Sequence, residues 1–335
     1  MIGDLQGSPE QPREHLGQWS LRGIRALRVS RIQSPIAAPF PVDESYLLVL
    51  SDIKEALARM PETQLFDLVV TSPPYNLGKA YESKKDLDTY LDWQKGVIQQ
   101  IVPRLRDDAS LCWQVGNFVQ NGEIAPLDIS LGPIFNDAGL KLRNRIIWQF
   151  GHGLHNQRRF SGRYEVVLWY TKSDNYTFDL DAVRVPSKYP GKRFYKGPRI
   201  GELSGNPLGK NPGDVWEDLE EAGDVWNIPN VKANHVERAG HPCQFPVGLI
   251  ERLILALTSP GALVFDPFAG VGSAGVASAI HHRRFWGVDI MAQYIDVAES
   301  RLREALEGTA KYRPHDKPIY DSTKSKLSVR PIDWG

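Results

Sequence analysis

Leu65-Phe66-Asp67-Leu68-Val69-Val70 runs directly into Thr71-Ser72-Pro73-Pro74-Tyr75-Asn76. The first six residues have the apolar character of a buried strand, and the next six read as a turn. Two prolines remove two backbone donors and fix that turn. Their carbonyls remain as acceptors with few internal partners. A serine hydroxyl precedes them and an aromatic ring follows. Oxygens beside a ring suit a flat amine, the oxygens holding its N–H groups and the ring stacking on its face.

A matching stretch lies about 190 residues later. Residues 263–273 read Leu-Val-Phe-Asp-Pro-Phe-Ala-Gly-Val-Gly-Ser. This is another strand-like run ending in a tight turn, now glycine-rich, and the helix-like Ala274–His281 follows. Gly270 and Gly272 let the backbone approach a ligand, and a helix N-terminus offers free N–H groups. The next strand-like run, Arg284 to Val288, ends at Asp289. An acidic residue at a strand end about 20 residues past a glycine turn suits ribose hydroxyls.

On these motifs the chain resembles the bacterial DNA amino-methyltransferases, which move a methyl group from S-adenosylmethionine to an exocyclic base nitrogen. The catalytic motif precedes the cofactor motif, as in the family's β arrangement. The resemblance runs from about Tyr46 to Glu304. It implies that Ser72, Pro73, Pro74 and Tyr75 form the catalytic loop. Asp266, Phe268, Gly270, Gly272 and Asp289 then form the cofactor site. His241-Pro242-Cys243-Gln244-Phe245-Pro246 is similar to a family segment beside the methionine end, which adds His241 and Gln244. Asp52 resembles an acidic residue placed near the adenine amine, although a helix N-cap explains it equally well. Serine at position 72 is similar to the cytosine-N4 branch, whose usual form is Thr-Ser-Pro-Pro-Tyr/Phe. The adenine-N6 branch more often carries aspartate there, so methylation at adenine N6 is the alternative.

Charge supports a polyanionic partner through its distribution. The 335 residues carry 40 basic and 40 acidic side chains. From Lys141 to Gly213, however, 14 Lys/Arg stand against 5 Asp/Glu, and from Asp214 to Asp224 six acidic residues stand alone. Arg158, Arg159 and Arg163 flank Phe160. Lys188, Lys192, Arg193, Lys196 and Arg199 interleave with Tyr189, Phe194 and Tyr195. Such residues neutralise phosphates, and arginine can read guanine edges. The expected partner is double-stranded DNA, with the target base flipped out of the helix. A cognate restriction endonuclease is the expected functional partner, and the oligomeric state is open.

Two cysteines, Cys112 and Cys243, argue against a disulfide scaffold and read as buried free thiols. His152 and His155 have ligand-like spacing but no cysteine or carboxylate cluster beside them, so no metal site is expected. There is no run of about 18 apolar residues and no apolar signal core, which points to a cytoplasmic protein.

Strand-like runs alternate with helical spacing, so the expected fold is α/β, a doubly wound and mainly parallel sheet. Residues 1–45 read as a mobile or loosely docked extension whose arginines, Arg31 among them, read as solvated, with contact to phosphates as the alternative. Residues 46–183 read as the catalytic half and 241–310 as the cofactor half. Residues 184–240, rich in Pro, Gly, Lys and Asn and carrying Gly-Asp-Val-Trp at 213–216 and 223–226, read as a target-recognition insert. Residues 311–335 read as a tail. Helices are expected from Asp52 to Met60, at Leu87–Leu105, at Phe245–Leu257 and at Ala292–Leu306, and strands at Ser110–Val115, Leu142–Phe150 and Glu165–Tyr170. A non-catalytic DNA-binding regulator on the same fold is the alternative of another class.

Overall fold

The apolar runs form strands whose two faces are both covered. A computed structural model describes residues 29–35, 40–76, 85–150, 155–216, 228–232 and 235–314. The strands are β1 (Val29–Gln33), β2 (Tyr46–Leu50), β3 (Phe66–Thr71), β4 (Leu105–Val115), β5 (Asn117–Gln120), β6 (Glu123–Pro126), β7 (Lys141–Gln149), β8 (Tyr164–Thr171), β9 (Val215–Trp216), β10 (Leu263–Asp266) and β11 (Arg284–Asp289). The helices are α1 (Ile53–Arg59), α2 (Leu87–Ile101), α3 (Leu127–Asp137), α4 (Val247–Leu257), α5 (Ser273–Ile280) and α6 (Ala292–Leu306).

Among the described residues, nine strands make one sheet in the order β1-β2-β11-β10-β3-β4-β8-β7-β9. Neighbours from β1 to β4 are parallel. Strand β8 runs antiparallel to both β4 and β7. Along β2, Leu47 and Val49 join one core and Leu48 the other, because successive side chains point to opposite faces. Helices α1–α3 pack on the Leu47 face and α4–α6 on the Leu48 face. Burial on both sides explains why these strands read as continuous apolar runs. The fold is a Rossmann-like, doubly wound, mostly parallel sheet.

The winding reverses between β10 and β3. Strand β10 leads through α5 to β11 on one side, and β3 leads through α2 to β4 on the other. Val264 pairs with Leu68 and Phe265 with Val69, so the two motif-bearing strands are neighbours. Their loops meet at the carboxyl ends, where such sheets bind ligands.

Several boundaries differ from the sequence expectation. Structure begins well before residue 46: β1 pairs in parallel with β2, Phe40 is buried, and Arg31 forms an ion pair with Asp296 of α6. The other arginines of that segment lie outside the described residues. Helix α2 stops at Ile101, because Pro103 falls in a 3₁₀ turn that leads straight into β4. Helix α4 starts at Val247, just after Pro246. Helix α3 and the β5–β6 hairpin were not anticipated.

From residue 184 to Trp216 the basic insert is irregular, with local backbone closures. Val185 and Lys210 exchange backbone hydrogen bonds of 3.1 and 2.9 Å, and Phe194 bonds Glu202 at 3.0 Å. Gly209 makes the first closure possible. Its φ is +108°, and a Cβ there would stand 2.2 Å from the Val185 carbonyl oxygen. The second Gly-Asp-Val-Trp and most of the acidic run lie outside the described residues, as does His152.

Candidate active site

A cleft of about 770 Å³, open to solvent, lies over the β10–β3 reversal. Ser72, Pro73, Pro74 and Tyr75 form one wall, and Asp52, His241, Phe268 and Asp289 lie across from or beside them. Eight of the residues singled out from the sequence thus converge.

The proline turn exposes one carbonyl and ties down the other. Tyr90 of α2 donates to the Pro74 carbonyl at 2.8 Å and is itself held by Gln94 at 2.7 Å. Among the described residues, the Pro73 carbonyl receives no hydrogen bond. Ser72 Oγ lies 2.9 Å from the Tyr75 hydroxyl. The Tyr75 ring lies against Gly116, where a Cβ would come within 3.3 Å of it. Burial raises the Tyr75 pKa well above the ordinary phenol value, so its hydroxyl stays protonated. Asn76 has φ +60° and clasps Lys85 with its amide, accepting at 2.6 Å and donating at 2.7 Å. Residues 77–84 lie outside the described residues.

On the other wall, Asp289 lines the cleft while accepting from Gly270 N at 2.9 Å and Met291 N at 2.8 Å. Burial raises its pKa, and those backbone donors oppose the rise. Asp52 caps α1 by accepting from Lys54 N at 2.8 Å, and it also lines the cleft. His241 accepts from Cys243 N at 3.2 Å and meets Tyr294 edge-on at 4.6 Å. Burial lowers its pKa to about 4, leaving the ring neutral near pH 7.

Four expected cofactor residues stand behind the cleft lining. Asp266 is fully buried and braces the loops, accepting from Thr71 Oγ1 at 2.5 Å and from Phe268 N at 3.1 Å. Its Oδ2 meets no partner among the described residues, and burial raises its pKa to about 7. Gly270 and Gly272 shape the turn with φ of +49° and +76°. A Cβ on Gly272 would press to 2.9 Å from that of Ala298, so glycine lets α5 and α6 approach. Gln244 accepts from Ala239 N at 3.0 Å and donates to Glu237 O at 2.7 Å, which folds the loop presenting His241.

Trp93, Ile290 and Tyr294 line the cleft without having been singled out. Trp93 meets Phe268 at 5.5 Å. Cys112 is buried as expected, whereas Cys243 is half-buried and faces the cleft. The basic residues expected to meet DNA are separate from this cleft. Arg158, Arg159, Lys188, Lys192, Arg193 and Lys196 are exposed, Arg163 is partly buried, and Phe160 is fully exposed beside the arginines. Among the described residues, no helix is long and apolar enough to cross a membrane.

The donor set fits S-adenosylmethionine: a carboxylate at a strand end, a glycine turn, aromatic walls, and a buried carboxylate oxygen that meets no partner among the described residues. A family model described as DNA methylase, of the N6/N4 methyltransferase type, matches residues 66–300. The chain is 43% identical over 264 residues to the type II methyltransferase M.BglII of Bacillus subtilis, covering 78% of this chain and 70% of the relative. It is 35% identical over 298 residues to the type II methyltransferase M.ScaI of Streptomyces caespitosus, covering 86% and 91%. Among solved structures, TTHA0409 of Thermus thermophilus complexed with S-adenosyl-L-methionine superposes with a TM-score of 0.54 at 26% identity, covering 78% of this chain and 96% of that one. With the family match spanning residues 66–300 and both curated relatives aligned over most of their length, the chain belongs to the DNA methylase family of N6/N4 methyltransferases.

Proposed function

We propose that the cleft methylates the exocyclic amine of a base flipped out of duplex DNA, and that this base is cytosine, modified at N4. The observation that carries the proposal is the open Pro73 carbonyl beside Ser72 Oγ, at a wall where the neighbouring Pro74 carbonyl is already occupied by Tyr90.

S-adenosylmethionine, the methyl donor that goes with the family, supplies an electrophilic sulfonium methyl. An exocyclic amine is a poor nucleophile, since its lone pair is delocalised into the ring. Ser72 Oγ and the Pro73 carbonyl accept its N–H groups and favour a tetrahedral nitrogen with a localised lone pair. Holding the amine at near-attack distance supplies much of the barrier reduction. The Tyr75 ring stacks on the flipped base, which offsets part of the few kcal/mol that flipping costs. Asp289 keeps lone pairs for ribose hydroxyls beyond its two backbone donors, and Asp266 Oδ2 is the acceptor offered to the methionine ammonium. Asp52 and His241 complete the wall. The exposed Arg158, Arg159, Lys188, Lys192, Arg193 and Lys196, with Arg163, hold the duplex by its phosphates.

The serine form of the motif favours cytosine. The relatives' designation as type II methyltransferases supports a restriction endonuclease of the same recognition sequence as functional partner. Incubation with cofactor and unmodified genomic DNA, followed by nucleoside mass spectrometry, tests the proposal. N4-methyldeoxycytidine is expected. N6-methyldeoxyadenosine instead would overturn the base assignment, and unmodified DNA with intact DNA binding would favour the regulator reading.

A further inference from the structure

Behind the Ser72 turn, four side chains from three parts of the fold form one hydrogen-bonded line. Ser72 Oγ lies 2.9 Å from the Tyr75 hydroxyl. Tyr75 donates to Glu165 Oε2 at 3.4 Å, and Gln114 Nε2 donates to the same oxygen. Glu165 stands at the start of β8 and Gln114 near the end of β4. These strands are antiparallel, with Gln114 opposite Val167, so both residues sit at the sheet end that carries the turn.

Holding an amine by Ser72 and Pro73 does not call for Glu165. Yet a carboxylate is placed here against a phenol and an amide, with no cation paired to it among the described residues. Burial raises its pKa to about 7, against the opposing effect of the Tyr75 and Gln114 hydrogen bonds. Tyr90 of α2 and Cys243 of the loop before α4 are the further titratable groups that bear on Tyr75. Gln114 offers an independent sign. Its Oε1 is buried and meets no partner among the described residues. A primary amide can turn over. With Nε2 toward Glu165 it donates to a carboxylate; with Oε1 toward Glu165 it accepts from a carboxylic acid. The pair can hold Glu165 in either protonation state.

We propose that Glu165 is the proton acceptor at the end of a relay that begins at the target amine and passes through Ser72 and Tyr75. The proposal rests on reading Ser72 as the residue that holds the amine. When the new N–C bond has formed and the S–C pair has stayed on sulfur, the nitrogen carries one proton too many. That N–H bond breaks with its electron pair remaining on nitrogen, and the proton goes to Ser72 Oγ. Ser72 passes its own proton to the Tyr75 oxygen, and Tyr75 passes its own to Glu165 Oε2. Tyr75 never becomes a phenolate. The net change is one proton moved from nitrogen to Glu165, which releases it to solvent before the next turnover.

The test compares the full-length protein with its Glu165→Gln, Tyr75→Phe and Ser72→Ala variants, with cofactor affinity measured by calorimetry as the folding control. Infrared difference spectra of the free protein between pH 5 and 9 should contain a carboxyl band that Glu165→Gln removes. Single-turnover methylation at saturating cofactor and DNA should rise with pH and level off near 7. Glu165→Gln and Tyr75→Phe should each slow it by roughly a hundredfold and abolish the inflection. If Ser72→Ala is impaired while those two variants keep the wild-type rate and inflection, the relay alone is overturned. If Ser72→Ala turns over normally, the amine-holding role falls and takes the relay with it. Unchanged infrared spectra in Glu165→Gln also overturn the relay. Should Glu165→Gln fail the folding control, Tyr75→Phe decides, because it removes one oxygen and keeps the ring.

Discussion

Asp266 shows what burial does to a carboxylate that must also hold two loops together. Its ordinary pKa is 3.8, and burial lifts it to about 7 in the folded chain. The folded state therefore keeps a proton that the unfolded state has released. Its contribution to stability is fully present below about pH 4 and is lost as pH rises to about 7. Asp266→Asn removes that titration. The melting temperature of the variant relative to wild type should climb between pH 4 and 7 and then stay level, and thermal scans at several pH values would show a constant difference if Asp266 did not titrate there. Ser72 and Asp289 are separable in the same way. Ser72→Ala should lower kcat far more than it alters cofactor or DNA affinity, since its bonds strengthen only as the amine becomes tetrahedral. Asp289→Ala should weaken cofactor binding by about 1.5–3 kcal/mol and leave DNA binding intact. Calorimetry with unchanged cofactor affinity would remove it from the site. These residues were legible because each sits at the end of an apolar run. Glu165, Gln114, Trp93 and Tyr294 were not, because what brings them to the turn is contact across long stretches of chain, which leaves no local spacing to read.

At the scale of elements, the parallel strands were readable for the reason that they are buried on both faces. The antiparallel direction of β8 was not, since an apolar run is the same read from either end. The β5–β6 hairpin did carry a signal. Asn121-Gly122 lies between its strands with φ of +52° and +86°, the pair of left-handed residues that a tight hairpin turn demands. Helix α3 hides behind Pro133 in its interior. In the insert, basic side chains already keep company with neighbouring rings: Lys196 over Tyr195 at 5.4 Å, and Arg199 over Phe194 at 4.6 Å. Replacing Lys192, Arg193 and Lys196 together by neutral residues should weaken DNA binding and flatten its salt dependence by roughly one unit of slope per lost phosphate contact. An unmoved slope of log affinity against log salt would mean that this face is merely solvated.

For the whole molecule, the order of motifs along the chain matters less than the order of strands in the sheet. Strands β10 and β3 are neighbours although about 190 residues separate them, and the hydrogen bond from Thr71 to Asp266 ties their ends together at 2.5 Å. Cofactor bound on one side of this junction should stabilise the entire sheet. At a hundredfold excess over Kd the gain is about 2.7 kcal/mol, and differential scanning calorimetry with and without cofactor would measure it. The same strut has a consequence for inhibitor design. It fixes the spacing between the place proposed for an adenosine and the place proposed for a pyrimidine, so both form one rigid gauge. A bisubstrate compound, with the two rings joined by a linker cut to that gauge, would present its second ring at millimolar effective concentration once the first was seated. Linker length would then become a ruler. Affinity should peak sharply at one length, and loosening the strut with Thr71→Val should broaden the peak.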